Sequence, residues 1–98
     1  MNFYFEHADA WYLVKPRPSR PAESVVTIGD DDKVVIEIGP DLSFMLHGRH
    51  AGQLRQTGGL WMHLGLSGTV AHEGVAADGT YQSTINAVTA SCRLLLGN

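Results

Sequence analysis

A period of two in the apolar residues between Ser24 and His47 constrains this chain more than any other feature. The stretch contains three short apolar runs, Val25–Ile28, Val34–Ile38 and Leu42–Leu46. Alternating β-branched, aliphatic and aromatic residues in runs of this length indicate half-buried strands. Because only short turns separate the runs, the stretch predicts an antiparallel meander.

The last two runs of this meander each divide into an apolar face and a more polar face. The residues that share the apolar faces are Val34, Ile36, Ile38, Leu42, Phe44 and Leu46. One turn contains Asp30, Asp31 and Asp32, and the other is Gly39–Asp41 with its proline. We therefore expect the apolar faces to line one core and the turns to lie in solvent.

The N-terminal segment predicts further strand structure that is rich in aromatic residues. Phe5 alternates with Tyr4 in a first run, and a second apolar run covers residues 11–14. These runs fit one strand broken near Ala8–Asp9 or two strands, with Tyr4 and Tyr12 on the side opposite Phe5. Residues 15–21 contain three prolines and should end the strand, because proline lacks the backbone donor that a sheet needs.

The second half of the chain starts with a glycine-rich segment and then returns to a strand pattern. Residues 47–59 contain four glycines and little apolar content, which predicts a long exposed loop. Residues 60–70 alternate, with leucines and Met62 on one face and Trp61 and His63 on the other. This alternation predicts a central strand.

The C-terminal segment has two interpretations. Asp78-Gly79 is a strong signal for a tight hairpin turn, which would pair residues 69–77 with residues 80–86. Residues 84–96 carry an apolar stripe at helical spacing, yet their threonine, serine and valine content also fits a strand. We favour the strand, because the predicted hairpin would lead directly into it.

Together these elements predict a single β-rich domain over residues 1–98. The expected fold is mainly β, a compact antiparallel curled sheet, small sandwich or partly open barrel of about six or seven strands. One C-terminal helix is the alternative to a last strand. Cys92 is the only cysteine, so no intrachain disulfide forms, and we expect it to be a small buried apolar residue.

The charge of the chain bears on its partners. The formal net charge is −3, and residues 1–41 hold eight of the ten acidic side chains. A chain without a basic face is poorly suited to bind nucleic acid, so we expect no general nucleic-acid partner. No stretch is apolar enough to cross a membrane, and acidic residues interrupt the N-terminus where a signal peptide would be apolar. We therefore expect a soluble, cytoplasmic protein.

Several residues are candidates for binding another protein. Asp30, Asp31 and Asp32 are either a solvated hairpin tip or a site for a basic patch on a partner. Trp61 is expected in the core, and its alternative is exposure at an interface, since it faces away from Leu60 and Met62. Arg49 and Arg55, in the predicted loop, complete this group of partner-binding candidates.

The histidines support a hypothesis of a different class, a small metal-dependent enzyme. His47 and His50 lie three residues apart, and Glu73 follows His72 directly. Together with His63 these side chains have the chemistry of zinc ligands. No established metal motif is present, and Arg49 would repel a divalent cation.

No nucleophile motif, phosphate loop or cofactor motif occurs in the chain. The function that the sequence favours is therefore a non-enzymatic protein-binding module, an inhibitor, adaptor or assembly subunit, with no cofactor. The analogy is to small proteins that phage and mobile elements encode. Unpaired edge strands would also make a homo-oligomer easy to build.

Overall fold

A computed structural model of the chain describes residues 1–97, which form eight strands followed by one helix. The strands are β1 Phe3–His7, β2 Ala10–Pro16, β3 Ser24–Ile28, β4 Val34–Ile38, β5 Ser43–Leu46, β6 Arg49–Thr57, β7 Leu60–Gly65 and β8 Gly68–Ala76, and the helix is α1 Tyr81–Leu96. Each strand pairs antiparallel with the next, and the single sheet curls into a half-barrel. The predicted mainly β fold is confirmed, with eight strands rather than six or seven and with the C-terminal helix.

The core lies between the concave side of the half-barrel and one side of α1. Its fully buried side chains include Val14, Val26, Ile36, Ile38, Phe44, Val88, Ser91 and Cys92. Cross-strand pairing places Val26 opposite Ile36 and Phe44 opposite Ile38, so neighbouring strands contribute to the same layer. Each fully buried aliphatic or aromatic side chain contributes about 1.5–3 kcal/mol. The predicted apolar faces of the central meander are therefore confirmed at Ile36, Ile38 and Phe44, whereas Val34 is exposed at the start of β4.

Helix α1 begins where the sequence predicts a hairpin turn. The Asp78 carboxylate accepts hydrogen bonds from the Thr80 backbone N–H and hydroxyl at 3.0 and 2.6 Å. The Thr80 hydroxyl in turn accepts from the Ser83 N–H at 3.1 Å, which makes Thr80 the N-cap. Hydrogen bonds from the Thr80 hydroxyl and N–H also lower the pKa of Asp78. The predicted Asp78-Gly79 hairpin and C-terminal strand are wrong, because these bonds satisfy the start of a helix instead.

Residues 47–59 contain strand β6 between two tight turns, so the predicted loop is wrong. His47 and Gly48 have φ of 50° and 80°, and Gly58 and Gly59 have φ of 58° and 80°. Two-residue turns with positive φ at both positions match the twist of paired strands and form the tightest hairpins. Gly48, Gly58 and Gly59 thus mark the ends of a strand, whereas Gly52 lies within it. Leu54 in its middle is the one large apolar residue of the strand that points inward.

The first two strands form a hairpin around Ala8 and Asp9, which have φ of 49° and 63°. This turn pairs Phe5 with Tyr12, and the two rings stack with centroids 5.2 Å apart. Tyr12 is therefore buried, and the prediction that it faces away from Phe5 is wrong. Trp11 points outward in its place. The predicted break near Ala8–Asp9 is therefore confirmed, and it separates two strands. Aspartate is enriched at positive φ among residues other than glycine, whereas alanine is not.

The helix closes the open side of the half-barrel. It packs against β6 and β8, and its last turns reach across to β1. Arg93 donates two hydrogen bonds to the Glu6 carbonyl, at 2.9 and 3.1 Å, and its guanidinium lies 5.9 Å from the centroid of the Phe5 ring. His7 Nε2 donates to the Gly97 carbonyl. These contacts occupy part of the free edge of β1.

Candidate functional site

Two serines on the buried side of α1 hydrogen-bond to ring nitrogen atoms of side chains on β7 and β8. Trp61 Nε1 donates to Ser83 Oγ at 2.8 Å. About two helical turns later, Ser91 Oγ lies 2.9 Å from His63 Nδ1 and 2.8 Å from His72 Nε2. Trp61 and His63 share one side of β7 because they are two residues apart. We call Ser91, His63 and His72 the polar cluster.

Hydrogen bonding in the polar cluster has one direction when both imidazoles are uncharged. The Ala51 carbonyl accepts from His63 Nε2 at 2.9 Å, so His63 Nδ1 is left to accept the Ser91 hydroxyl proton. The Ser91 oxygen then accepts from His72 Nε2. Both rings are thereby fixed as the Nε2–H tautomer, and the Ser91 hydroxyl both donates and accepts.

Burial makes this arrangement selective for neutral side chains. Ser91 is fully buried, and His63 and His72 expose only 3% and 7% of their surface. Burial, and then the charge of His63, lower the pKa of His72 below its ordinary value of 6.5. Burial likewise raises the pKa of the neighbouring Cys92 thiol to about 12, so the cysteine is an apolar core residue, as predicted.

A serine that donates to a histidine resembles an activated nucleophile, but the location of Ser91 favours a structural role. Its hydroxyl lies beneath the helix with no exposed surface, so a substrate carbonyl has no path to the oxygen. The polar cluster instead joins α1 to β7 and β8. Sequence reasoning missed Ser83 and Ser91; their eight-residue spacing is a usable signal only after the segment is assigned as a helix.

Gly52 makes room for the polar cluster. It pairs with Phe44 on β5 and has φ of 122°, a region that disfavours any residue with a Cβ. A Cβ built on Gly52 would lie against the His63 ring and 2.7 Å from the Leu64 carbonyl oxygen. The absent side chain thus allows the His63 ring to reach the Ala51 carbonyl.

Trp61 is buried in the core, as expected, with only 4% of its surface exposed, so the alternative of exposure at an interface is wrong. The aromatic residues that do face solvent on the sheet are Tyr4 and Trp11, which expose 67% and 57% of their surface. Glu6 pairs with Trp11, and Tyr4 is two residues from Glu6, so both aromatic side chains lie on the outer side of the β1–β2 hairpin.

The acidic turn lies beside this aromatic pair. Asp30, Asp31 and Asp32 are all exposed between β3 and β4. The turn begins at Gly29, whose N–H donates to the Trp11 carbonyl at 2.6 Å. Asp32 reaches Lys15 of β2, with 3.8 Å between the charged atoms. We call Tyr4, Trp11 and residues 30–32 the aromatic–acidic surface.

The two candidate arginines lie away from this surface, on β6. Arg49 is exposed at the start of the strand, and Arg55 is exposed on its outer side, opposite Met62. Arg55 Nε donates to the Gln53 side-chain oxygen at 3.2 Å. The outer side of β7 next to them exposes Leu60 and Leu64, at 39% and 38%.

The structure does not bring the proposed metal ligands together. His47 and His50 are exposed at the β5–β6 turn, whereas His72 is buried in the polar cluster. Glu73 follows His72 on the same strand, and the alternation of a strand turns its carboxylate to the solvent side. Among residues 1–97, no group of three or more histidine, cysteine, aspartate or glutamate side chains is placed to hold a metal ion.

Comparisons with known proteins give no independent guide to the activity. Scans of protein-family models, of curated proteins and of solved structures find no significant match to the chain. In the part of the chain that the structure describes, α1 is too short and too polar to cross a membrane.

Proposed function

We propose that this protein is a non-enzymatic, cytoplasmic protein-binding module that acts as an inhibitor, adaptor or assembly subunit. Its contact surface is the aromatic–acidic surface, and its partner presents an apolar groove flanked by lysine or arginine. The observation that carries the proposal is the exposure of Trp11 and Tyr4, at 57% and 67%, on the same outer face of one hairpin.

Exposed aromatic rings of this kind favour association with another protein. Tryptophan and tyrosine dominate binding energy in protein interfaces because they bury a large area with few rotatable bonds. Covering about 100 Å² of the Trp11 indole would contribute about 2.5 kcal/mol. The hairpin that carries these side chains is held to the core by the stacked rings of Phe5 and Tyr12, so little order is lost on binding.

Charge determines which partner fits. Asp30, Asp31 and Asp32 are exposed, and Glu6 and Asp9 of the neighbouring hairpin are exposed as well. Lys15 and Lys33 offset part of this negative charge. Carboxylates beside an aromatic pair favour a basic surface, steer its approach and oppose an acidic one. Nucleic acid, which is polyanionic, is disfavoured by the same charges.

The test uses affinity capture from source-cell lysate, followed by binding measurements with the purified partner. Trp11→Ala and Tyr4→Ala should each weaken binding by about tenfold or more, as hot-spot truncations do. Tyr81→Ala is the matched control, because Tyr81 exposes 63% of its surface on α1, outside the proposed surface. Replacing all three aspartates of the turn by lysine should slow association, most strongly at low salt.

Two results would contradict the proposal. One is a partner that binds the Trp11→Ala variant and the lysine variant as tightly as the wild type. The other is a wild-type protein that captures nothing beyond what the lysine variant captures. Circular dichroism of each variant should match the wild type, since the substituted side chains lie outside the core.

The partner can also be a second copy of the chain, through the outer edge of β8. In residues 1–97 this nine-residue strand pairs on one side only, with β7, and Glu73 is its one acidic or basic side chain apart from His72. Unprotected edges of this kind pair readily with another strand. Sedimentation equilibrium should then show a dimer that Ala71→Pro converts to monomer, because Ala71 is in a non-hydrogen-bonded pair with Met62 and its N–H faces away from β7. A wild-type monomer at high concentration would rule this arrangement out.

A further inference from the structure

A cavity of about 290 Å³ opens at one end of the half-barrel, and none of its lining residues belongs to the aromatic–acidic surface. The tight β7–β8 turn forms one wall, with Leu66 and Val70 beside it, and Leu94 and Leu95 of the last helical turn form the other. Ala51 and His63 also line it. The polar cluster positions His63, so the same hydrogen bonds that hold α1 also shape this cavity.

The polar groups around the cavity leave no place for a charged ligand. None of the lining side chains carries a formal charge when His63 is neutral. Both nitrogens of His63 already have partners, the Ser91 hydroxyl and the Ala51 carbonyl. Ser67 supplies the one side-chain hydroxyl in the lining. A charged molecule would therefore lose its hydration without gaining a partner, whereas an uncharged molecule would not.

The aliphatic side chains at the mouth are exposed to an unusual degree. Leu66 exposes 88% of its surface, and Val70 and Leu94 expose 44% and 42%. Three exposed aliphatic side chains that converge on one cavity would all gain from an apolar occupant, at about 25 cal/mol for each Å² covered.

The glycines of the turn keep this space open. A Cβ on Gly65 would meet only ordinary contacts, 3.7 Å from the Gly68 carbonyl oxygen and 3.9 Å from the His63 ring. Gly65 lies two residues after His63, so any side chain at this position would point inward, into the cavity. A side chain at residue 65 would therefore cause no backbone strain, and a large one would fill the cavity.

We propose that this cavity binds a small, uncharged and mainly apolar molecule with at most one hydroxyl or carbonyl group. A cavity of about 150 Å³ is large enough for benzene, so this larger volume suits an aliphatic or single-ring compound of about ten carbon atoms. The hydroxyl or carbonyl of the ligand would lie at the mouth, where Ser67 can hydrogen-bond to it.

In the experiment the full chain is titrated with 1-octanol, and a backbone amide NMR spectrum is recorded at each concentration. Saturable shifts are expected at residues 65–70 and 94–95, with a dissociation constant below about 1 mM. Octanoate, which has the same chain length with a negative charge, should bind at least about tenfold more weakly. Tighter binding of octanoate, or an absence of saturable shifts, would overturn the proposal.

Variants locate the site. Gly65→Leu should fill the cavity and weaken octanol binding by about tenfold or more, and Val70→Phe should do the same from β8 if the first variant does not fold. Thr69→Leu is the control, because Thr69 pairs with Leu64 on the outer side of the same hairpin and should leave binding unchanged. Equal binding by the filled variants would overturn the assignment. Shifts of the Leu94 and Leu95 amides with protein concentration alone would also overturn it, because they would place a second copy of the chain in the cavity. Pairing at the outer edge of β8 would instead shift the amides of β8.

Discussion

Strands β4 and β7 both alternate in sequence, yet they turn different kinds of residue toward the core. In β4 the aliphatic side faces inward, and Ile36 and Ile38 are buried, with 0% and 1% exposed. In β7 the side with Leu60 and Leu64 faces outward, and Trp61 and His63 face inward.

The difference arises from what lies opposite each strand. The inner side of β7 faces Ser83 and Ser91 of α1, whose hydroxyls need hydrogen-bond partners once they are buried. Indole and imidazole rings supply a nitrogen for that bond together with apolar ring surface. An alternating sequence therefore shows which residues share each face of a strand. Which face is buried depends on the element that packs against it.

The largest expected loss of stability comes from filling the space at Gly52 that the His63 ring on the inner side of β7 occupies. Gly52→Ala should lower the free energy of unfolding by about 3–5 kcal/mol, because it combines a disfavoured φ with a clash. The clash is with the His63 ring and the Leu64 carbonyl. Urea unfolding followed by tryptophan fluorescence measures the change. Gly65→Ala is the control, with ordinary contacts only and an expected change within about 0.5 kcal/mol.

Ser91→Ala removes the shared hydroxyl of the polar cluster. His63 Nδ1 and His72 Nε2–H would then be buried without partners, at a cost of about 2–4 kcal/mol in the free energy of unfolding. Ser19→Ala, at an exposed position before β3, should change stability by less than about 0.5 kcal/mol. Equal effects of the two substitutions would show that the hydroxyl of Ser91 contributes nothing to the docking of α1.

The lowered pKa of His72 predicts that stability falls in mild acid. Between 6.5, the ordinary pKa, and the lowered folded-state pKa, the unfolded chain binds more protons than the folded chain. The stabilisation is therefore complete above pH 6.5 and is lost as the pH falls, by at most about 1.4 kcal/mol per pH unit. His72→Gln, which can still donate to Ser91, should flatten this dependence of the free energy of unfolding on pH.

The smallest effect is expected on the outer side of β7. Leu64→Gln should change the free energy of unfolding by less than about 1 kcal/mol, since the side chain is already 38% exposed. Leu54→Gln on the inner side of β6 should cost more than about 2 kcal/mol. A loss at Leu64 as large as that at Leu54 would mean that the outer side is covered, and the contrast between the two faces would disappear.

Sequence patterns predicted the central meander because its strands are bounded by turns with recognisable residues. Asp30–Asp32 and Gly39–Asp41 separate the strands as expected, and Phe44 and Ile36 are buried. Strand β6 was not predictable from apolar content, because its inner side uses Gly52 where a large side chain would clash. The informative sequence signal is the glycine in each of the two turns that bound β6, His47-Gly48 and Gly58-Gly59, because both positions of such a turn need positive φ.

The start of α1 and the aromatic part of the proposed surface were harder to predict. Asp78-Gly79 favours a hairpin by residue type, but the hydrogen bonds from Thr80 to Asp78 depend on the structure that follows. Tyr12 is buried and Trp11 is exposed because the turn at Ala8 and Asp9 fixes the register of β1 against β2. The sequence indicates a break near these two residues but does not set that register. The exposure of the acidic turn, by contrast, follows directly from its composition.

A directional chain of hydrogen bonds from His72 through Ser91 to His63 holds α1 to β7 and β8. Long-range ¹H–¹⁵N spectra of the histidine side chains at about pH 7.5 test it most directly, since they identify which ring nitrogen carries the proton. Both His63 and His72 should be in the Nε2–H tautomer. An Nδ1–H tautomer on either ring would contradict it, because the proton would then lie on the wrong atom for the chain through Ser91.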